Sequence, residues 1–239
     1  MIKVITLDNP PVNALSFAYS AKLLEQVQAA EADASVEAVI FTGANDIFSA
    51  GADINDFLNE PSPETKTVRD VINAIEHGKK IYIVAIDGNA MGGGLELALA
   101  CDYRVATERS KVGLPEIKLG LLPGAGGTQR LTRLVGPGRA TELIMKGLQL
   151  SPEQAAEAGL VHFLVEPAEL EEKARDYTVR LARQAPIALR GIKRAIRSAW
   201  SPDGLAVEAD AFREVLASED AQTGVKAFLE GERASFTGT

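Results

Sequence analysis

Residues 81–101 constrain the fold of this chain most, because they join an apolar strand to an apolar helix through three consecutive glycines. Residues 81–86 (IYIVAI) form a run rich in β-branched residues, which predicts a strand buried on both faces. Residues 95–100 favour a helix, so residues 92–94 are expected at a strand-to-helix turn. Such a turn lets a ligand approach the backbone, where the first N–H groups of the helix lack intrahelical partners.

Glu96 is the only charged residue between Asp87 and Asp102. It lies one turn after Gly93, so its side chain is expected to lean toward the helix start, where the helix dipole favours a carboxylate. A carboxylate buried beside unpaired amide donors costs free energy, which is typical of a functional site. The alternative is an ordinary glycine-rich bend with Glu96 facing solvent.

Composition excludes several classes of protein. The 239 residues are 46% apolar, which is ample for a packed core in one large or two small domains. A net charge of −8 argues against a general binder of nucleic acid or anionic membranes. The single Cys101 excludes an internal disulfide, and His77 and His162 do not form a metal-ligand pattern. The chain begins as a strand without a targeting pattern and has no uninterrupted apolar span, so we expect a cytoplasmic protein.

The first part of the chain alternates strands with helices. Its predicted strands are residues 3–7, 37–42, 81–86 and 103–107, and its predicted helices are residues 17–32 and about 68–77. Later residues are mainly helical, apart from a strand at residues 161–165. This pattern predicts an α/β part over residues 1–135 and a helical part over residues 136–239. We expect the apolar faces of the later helices to cover a neighbouring subunit.

Two further stretches contain the small residues of backbone turns. Residues 48–54 (FSAGADI) read as an ordinary strand-to-helix loop with Asp53 as a cap. Residues 120–127 (GLLPGAGG) lack both the GxGxxG fingerprint and the lysine of a phosphate-binding loop. Glu116 lies on a loop just before them and is uninformative alone. These residues by themselves leave the chemistry open.

Four stretches taken together resemble the crotonase superfamily, specifically its enoyl-CoA hydratase type. They are NPPVNALS at residues 9–16, FSAGADI at 48–54, GNAMGGGLELALACD at 88–102 and GLPEIKLGLLPGAGGTQRL at 113–131. The resemblance runs along essentially the whole chain. It implies an α/β fold built as a crotonase-like spiral of ββα units, with a C-terminal helical region used in trimerisation. Such trimers often pair into hexamers.

The resemblance also implies a site for an acyl-CoA thioester. The backbone N–H groups of Ala52 and Gly93 would form an oxyanion hole for the thioester oxygen. Glu96 would orient and activate water, and Glu116 would donate a proton. Further substrate-binding positions are implied at Ala50, whose backbone would hold the adenine end of coenzyme A, and at Gly51, Asp53, Ile54 and Gly92. No metal and no separate cofactor are implied, since coenzyme A is part of the substrate.

The presence of both carboxylates favours a 2-enoyl-CoA hydratase, because relatives that only move a double bond commonly lose the first of them. The alternative is a 3-enoyl-CoA to 2-enoyl-CoA isomerase or another crotonase chemistry. An alternative of another class is a non-catalytic relative that binds acyl-CoA or RNA. The sequence departs from the family pattern after residues 228–230 (FLE), where many members carry a lysine that reaches the CoA phosphates. Arg233 is a possible substitute here.

The acyl-chain length stays open. Apolar residues after the second turn and on the following helix could line an acyl channel, although such spacings are more often plain core. These residues are Ile54, Phe57, Leu58, Ile72 and Ile75.

Overall fold

The computed structural model describes residues 1–58 and 61–239 of the chain. These residues form two compact units, Met1–Arg175 and Asp176–Thr239. Residue 135, where the sequence analysis divides the chain, falls inside a helix of the first unit, Gly127–Met145. The boundary between the two compact units therefore lies further along the chain than the change from alternating strands and helices to mainly helical residues.

Strands and helices alternate through the first unit. Within the described residues the strands are β1 (Ile2–Leu7), β2 (Ala38–Gly43), β3 (Ile81–Ile86), β4 (Asn89–Met91), β5 (Tyr103–Thr107), β6 (Lys111–Gly113), β7 (Gln149–Leu150) and β8 (Phe163–Val165). Over both units, the α-helices of the described residues are α1 (Phe17–Ala32), α2 (Val68–His77), α3 (Gly93–Ala100), α4 (Gly127–Met145), α5 (Pro152–Glu157), α6 (Leu170–Ala182), α7 (Pro186–Arg197), α8 (Gly204–Leu216) and α9 (Glu219–Glu230). Helices α7, α8 and α9 belong to the second unit. Short 3₁₀ helices cover Ile54–Leu58, Glu116–Leu119 and Pro167–Glu169.

The larger sheet has five parallel strands in the order β1-β2-β3-β5-β8. Helices α1, α2 and α3 lie in the connections between its consecutive strands, as parallel pairing requires. The central strand β3 is buried at all six residues, so the prediction of burial on both faces is confirmed. A smaller sheet has the order β4-β6-β7, with β7 antiparallel to β6. The predicted α/β class is therefore confirmed.

Local sequence signals explain where the first helices begin. Ser16 caps α1 by accepting a hydrogen bond from the N–H of Tyr19, and α1 buries Leu23, Leu24, Val27 and Ala30 on one face. Thr67 and Asp70 form a capping box at the start of α2, in which the Thr67 N–H donates to the Asp70 carboxylate at 2.8 Å. Both helices span the residues predicted from sequence.

The NPPVNALS stretch is organised around the buried side chain of Asn13. Its amide nitrogen donates to the carbonyls of Ala44 and Ile47 at 3.0 and 2.8 Å, and its backbone has a left-handed φ of 51°. Two residues later, the Leu15 N–H donates to the Gly51 carbonyl at 2.8 Å. Buried hydrogen bonds of this kind are costly to leave unmade. The stretch therefore fixes the position of the turn at residues 51–52.

The second unit consists mainly of helices with exposed apolar side chains. Helices α7 and α8 approach closely at Gly191, where a Cβ would lie 2.9 Å from the Val215 side chain. The buried Asp220 carboxylate accepts from the backbone N–H groups of Thr237 and Gly238 at 2.8 and 2.9 Å, which holds the C-terminal residues against α9. In the described part of the chain, no helix has the length and apolarity needed to cross a membrane.

Candidate active site

A cleft of about 1020 Å³ brings together residues from all four of the stretches singled out in the sequence. Most of the predicted site residues line it, namely Ala50, Ala52, Asp53, Ile54, Gly92, Gly93, Glu96 and Glu116. Gly51 is not among the lining residues. It is buried with a left-handed φ of 99°, and its carbonyl accepts the N–H of Leu15. Gly51 therefore shapes the turn that places Ala52 in the cleft lining.

The two glycine turns lie directly against each other. Gly92 precedes α3 with φ 51° and ψ −125°, a conformation that residues with a side chain rarely adopt. A Cβ on Gly51 would lie 3.0 Å from the Gly93 nitrogen, and a Cβ on Gly93 would lie 3.2 Å from the Ala52 nitrogen. Within the described residues, no acceptor binds the N–H of Ala52 or of Gly93. The turns therefore present two neighbouring unpaired donors to the cleft.

Glu96 lies in the first turn of α3 and is only 2% exposed, so the alternative of a solvent-facing side chain is wrong. Its Oε1 accepts the backbone N–H groups of Ala125 and Gly127 at 2.8 and 2.7 Å. Burial raises the pKa of this carboxyl, while the two N–H groups and the charges of Arg130 and Arg69 oppose that rise. Glu96 is thus a buried carboxyl whose ionised form is stabilised by two backbone N–H groups.

Glu116 lies at the start of the 3₁₀ helix Glu116–Leu119, and its Oε1 would lie 3.1 Å from a Cβ on Gly92. Its Oε2 is buried and has no hydrogen-bond partner among the described residues. Burial, together with the charge of Glu96, raises the pKa of Glu116 to about 7, against the opposing effect of its own backbone N–H. The two carboxyls therefore differ in environment, and the raised pKa of Glu116 lets it exchange a proton near neutral pH.

Comparison with known proteins identifies the family. The sequence model described as enoyl-CoA hydratase/isomerase matches residues 1–239. The chain belongs to the enoyl-CoA hydratase/isomerase family. Both the fold and the curated relatives agree with this assignment.

Relatives and solved structures of this family align along nearly the whole chain. A probable enoyl-CoA hydratase of Bacillus subtilis is 40% identical, covering 99% of this chain and 95% of the relative. A 2,3-dehydroadipyl-CoA hydratase of Escherichia coli is 38% identical, covering 99% and 95%. The crystal structure of an enoyl-CoA hydratase from Bacillus anthracis superposes with a TM-score of 0.91 at 38% identity, covering 100% and 96%. The crotonase-type fold implied by the four sequence stretches is thus confirmed.

The structure divides the candidates for an acyl channel into two groups. Ile72 and Ile75 of α2 are fully buried in the core, so the reading of these two as plain core is the correct one. Ile54, Phe57 and Leu58 line the cleft and are exposed, Leu58 by 86%. The difference follows from helical periodicity, since one face of α2 is buried in the core and contacts α1 and α3, whereas the 3₁₀ helix Ile54–Leu58 has no buried residue.

Sequence reasoning missed the cations beside Glu96, because they are distant along the chain. Arg69 lines the cleft from α2, and Arg130 lies in the first turn of α4. The only signal for Arg130 is its place four residues after Gly126, at the start of a helix that follows a glycine-rich loop. That signal does not show that Arg130 would lie near Glu96.

The raised pKa of Glu116 predicts a pH-dependent effect of Glu116→Gln on stability. Because the folded-state pKa of about 7 lies above the ordinary 4.5, the contribution of this group is fully present below about pH 4.5 and is lost as pH rises through about 7. Glutamine does not ionise, so the melting temperature of the variant relative to the parent should be higher at about pH 8 than at about pH 5. The exposed Glu108, changed to Gln, is the control. If the melting temperatures of Glu116→Gln and the parent differ equally at both pH values, the raised pKa of Glu116 is contradicted.

Proposed function

We propose that this chain adds water across the double bond of 2-enoyl-CoA thioesters to give 3-hydroxyacyl-CoA thioesters. The observation that carries the proposal is that Glu96 and Glu116 line the same cleft as the unpaired N–H groups of Ala52 and Gly93. The hydratase names of the relatives support it. One cleft thus offers an anion site and two carboxyls with different proton affinities.

The N–H groups of Ala52 and Gly93 would bind the thioester carbonyl oxygen. Attack of water at C3 moves electrons toward that oxygen and produces an enolate-like transition state. Fixed donors stabilise this charge more than they stabilise the neutral thioester, and removing one such donor typically costs about 2.7–4 kcal/mol. The helix dipole of α3 adds to this effect at Gly93, its first residue.

The two glutamates then have separate tasks. Glu96, ionised, accepts a proton from water as the water oxygen bonds to C3. Glu116, whose pKa is raised to about 7, gives its proton to C2. The product carries the hydroxyl on C3 and the new hydrogen on C2, and the net proton count of the pair is unchanged. A proton transferred from Glu96 to Glu116 restores the starting state.

No separate cofactor is needed in this scheme, because coenzyme A arrives as part of the substrate. Exposed apolar residues of the cleft, Ile54, Phe57, Leu58, Leu119 and Leu122, are suited to contact an acyl chain. At Ala50 the N–H already donates to the Val12 carbonyl at 2.9 Å, so its own carbonyl is the group left for the adenine amine. Asp53 and Gly92 line the same cleft beside these groups.

A homo-oligomer, as a trimer or a dimer of trimers, is part of the proposal. The second unit exposes large apolar side chains that a monomer would leave in water, namely Ile192, Ile196, Trp200, Leu205, Phe212, Leu216, Val225, Phe228 and Leu229. Light scattering of the purified chain should therefore give a multiple of the 25.4 kDa monomer mass. A monomer mass would contradict this part. The cytoplasmic location remains a prediction from sequence.

Hydration of crotonyl-CoA tests the proposed function, with loss of enoyl absorbance as the measurement. Glu96→Gln and Glu116→Gln should each lower kcat by roughly 10²- to 10⁴-fold, because each removes a proton-transfer group while keeping the side-chain shape. Glu108→Gln is the matched control and should keep full activity. Folded protein that hydrates neither crotonyl-CoA nor a longer 2-enoyl-CoA would contradict the proposal. Conversion of 3-enoyl-CoA without hydration would favour the isomerase alternative.

A further inference from the structure

The loop between the 3₁₀ helix Glu116–Leu119 and α4 determines where the Glu96 carboxylate lies. Ala125 and Gly127 donate their N–H groups to the same oxygen, Glu96 Oε1. Both donors belong to one three-residue segment, so a change in its backbone moves both hydrogen bonds together. Gly127 approaches so closely that a Cβ there would lie 3.0 Å from Glu96 Oε1.

The carbonyl groups of the same loop are bound by two arginines. Arg130 Nη1 donates to the Ala125 carbonyl at 2.8 Å, and Arg69 Nη2 donates to the Gly124 carbonyl. At Ala125, the carbonyl thus binds an arginine while the N–H binds Glu96. Gly126 allows this arrangement, since it has a left-handed φ of 102° and a Cβ there would collide with the Arg130 guanidinium.

Arg130 is itself fixed by a carboxylate from another helix. Its Nε and Nη2 donate to Glu76 Oε1 and Oε2 at 3.2 and 2.5 Å, in a two-pronged arrangement that holds the guanidinium plane. The side chains of Arg130 and Glu76 are only 13% and 23% exposed, so the pair is shielded from solvent more than a surface ion pair. Arg69 and Glu76 lie seven residues apart on α2, which places them on the same face of that helix.

We propose that Arg130 and Glu76 are positioning residues for the water-activating step, holding the loop at residues 124–127 so that Glu96 keeps its place in the cleft. This inference rests on the proposed function. Within the described residues, Arg130 has no hydrogen bond to Glu96 and does not itself line the cleft, although it binds the lining residue Ala125. It acts through the Ala125 peptide and through its charge.

The electrostatic consequence can be measured at Glu96. Among the described residues, the cations that act on Glu96 are Arg69 on α2 and Arg130 on α4, and Glu116 on the 3₁₀ helix is its carboxyl neighbour. Glu76 on α2 pairs with Arg130. Arg130 is the larger of the two cationic influences that lower the pKa of Glu96 against its burial. Removing the Arg130 charge should therefore raise the pKa of Glu96.

The experiment compares Arg130→Gln and Glu76→Gln with the wild-type chain. The matched control is Arg139→Gln, which removes an arginine of the same helix whose exposed ion pair joins Glu142. Carbon-13 NMR of labelled glutamate follows the titration of Glu96, with its resonance assigned by Glu96→Gln. Crotonyl-CoA hydration gives kcat and KM for the same proteins.

Arg130→Gln should move the Glu96 titration to higher pH and lower kcat roughly 10- to 100-fold with little change in KM, because the substrate site itself is untouched. Glu76→Gln removes the carboxylate that fixes the Arg130 guanidinium, so it should also lower kcat with little change in KM, to a smaller extent. Because it removes a negative charge, it should not move the Glu96 titration to higher pH, and its kcat and KM decide the question if Arg130→Gln does not fold. Arg139→Gln should match wild type in both measurements.

An unmoved Glu96 titration in folded Arg130→Gln overturns the proposal, and a lower kcat of that variant without the shift indicates a merely structural role and also overturns it. Wild-type kcat in folded Glu76→Gln overturns the proposal as well. Wild-type protein that hydrates no enoyl-CoA contradicts the proposed function instead. In that case the titration alone still decides the positioning role.

Discussion

The close approach of two backbone turns is the constraint on which the rest of the site depends. Gly51 and Gly93 lie so near each other's neighbours that a methyl group on either would reach 3.0 to 3.2 Å from a backbone nitrogen of the other turn. Side chains cannot occupy that space, so the amides of Ala52 and Gly93 can point into the same volume. The hydrogen bonds of the Asn13 side chain hold the segment before the first turn, and the connection from β3 to α3 carries the second turn.

The two carboxylates gain different properties from their surroundings rather than from their chemistry. Glu96 is the more buried residue, yet it receives two backbone N–H groups and lies near two arginines. Glu116 is less buried, yet its Oε2 has no partner in the described part of the chain, and its pKa rises to about 7. Local hydrogen bonding to Glu96 therefore opposes the effect of its burial on its pKa, whereas burial raises the pKa of Glu116. That division suits a reaction in which one group must accept a proton while the other gives one.

Much of this architecture could be predicted from the sequence. The strand Ile81–Ile86 and the helices Phe17–Ala32 and Val68–His77 follow from apolar periodicity and capping residues, which are local signals. The buried position of Glu96 followed from its apolar neighbours. The proximity of Ala52 to Gly93 was implied only by the family resemblance, because no local rule brings together residues about forty positions apart.

Other features were beyond sequence reasoning for physical reasons. Ile54 and Ile72 are both apolar residues in short helices, so their sequence environment is similar. Only the packing of the chain shows that Ile54 lines the cleft and that Ile72 lies in the core. The compact units divide after Arg175 rather than near residue 135, since α4 and α5 are helical in composition but pack with the first unit. The pairing of Arg130 with Glu76 joins two helices through side chains, which leaves no periodic trace in the sequence.

Activity of Gly93→Ala tests the central claim most directly, because its methyl group would lie 3.2 Å from the Ala52 nitrogen, in the space assigned to the thioester oxygen. Gly138→Ala is the matched control, since within the described residues a Cβ there would have no atom within 4 Å beyond its chain neighbours and its own helix backbone. The account predicts that kcat/KM for crotonyl-CoA falls by at least about 100-fold in folded Gly93→Ala and is unchanged in Gly138→Ala. Wild-type kcat/KM in Gly93→Ala would contradict it.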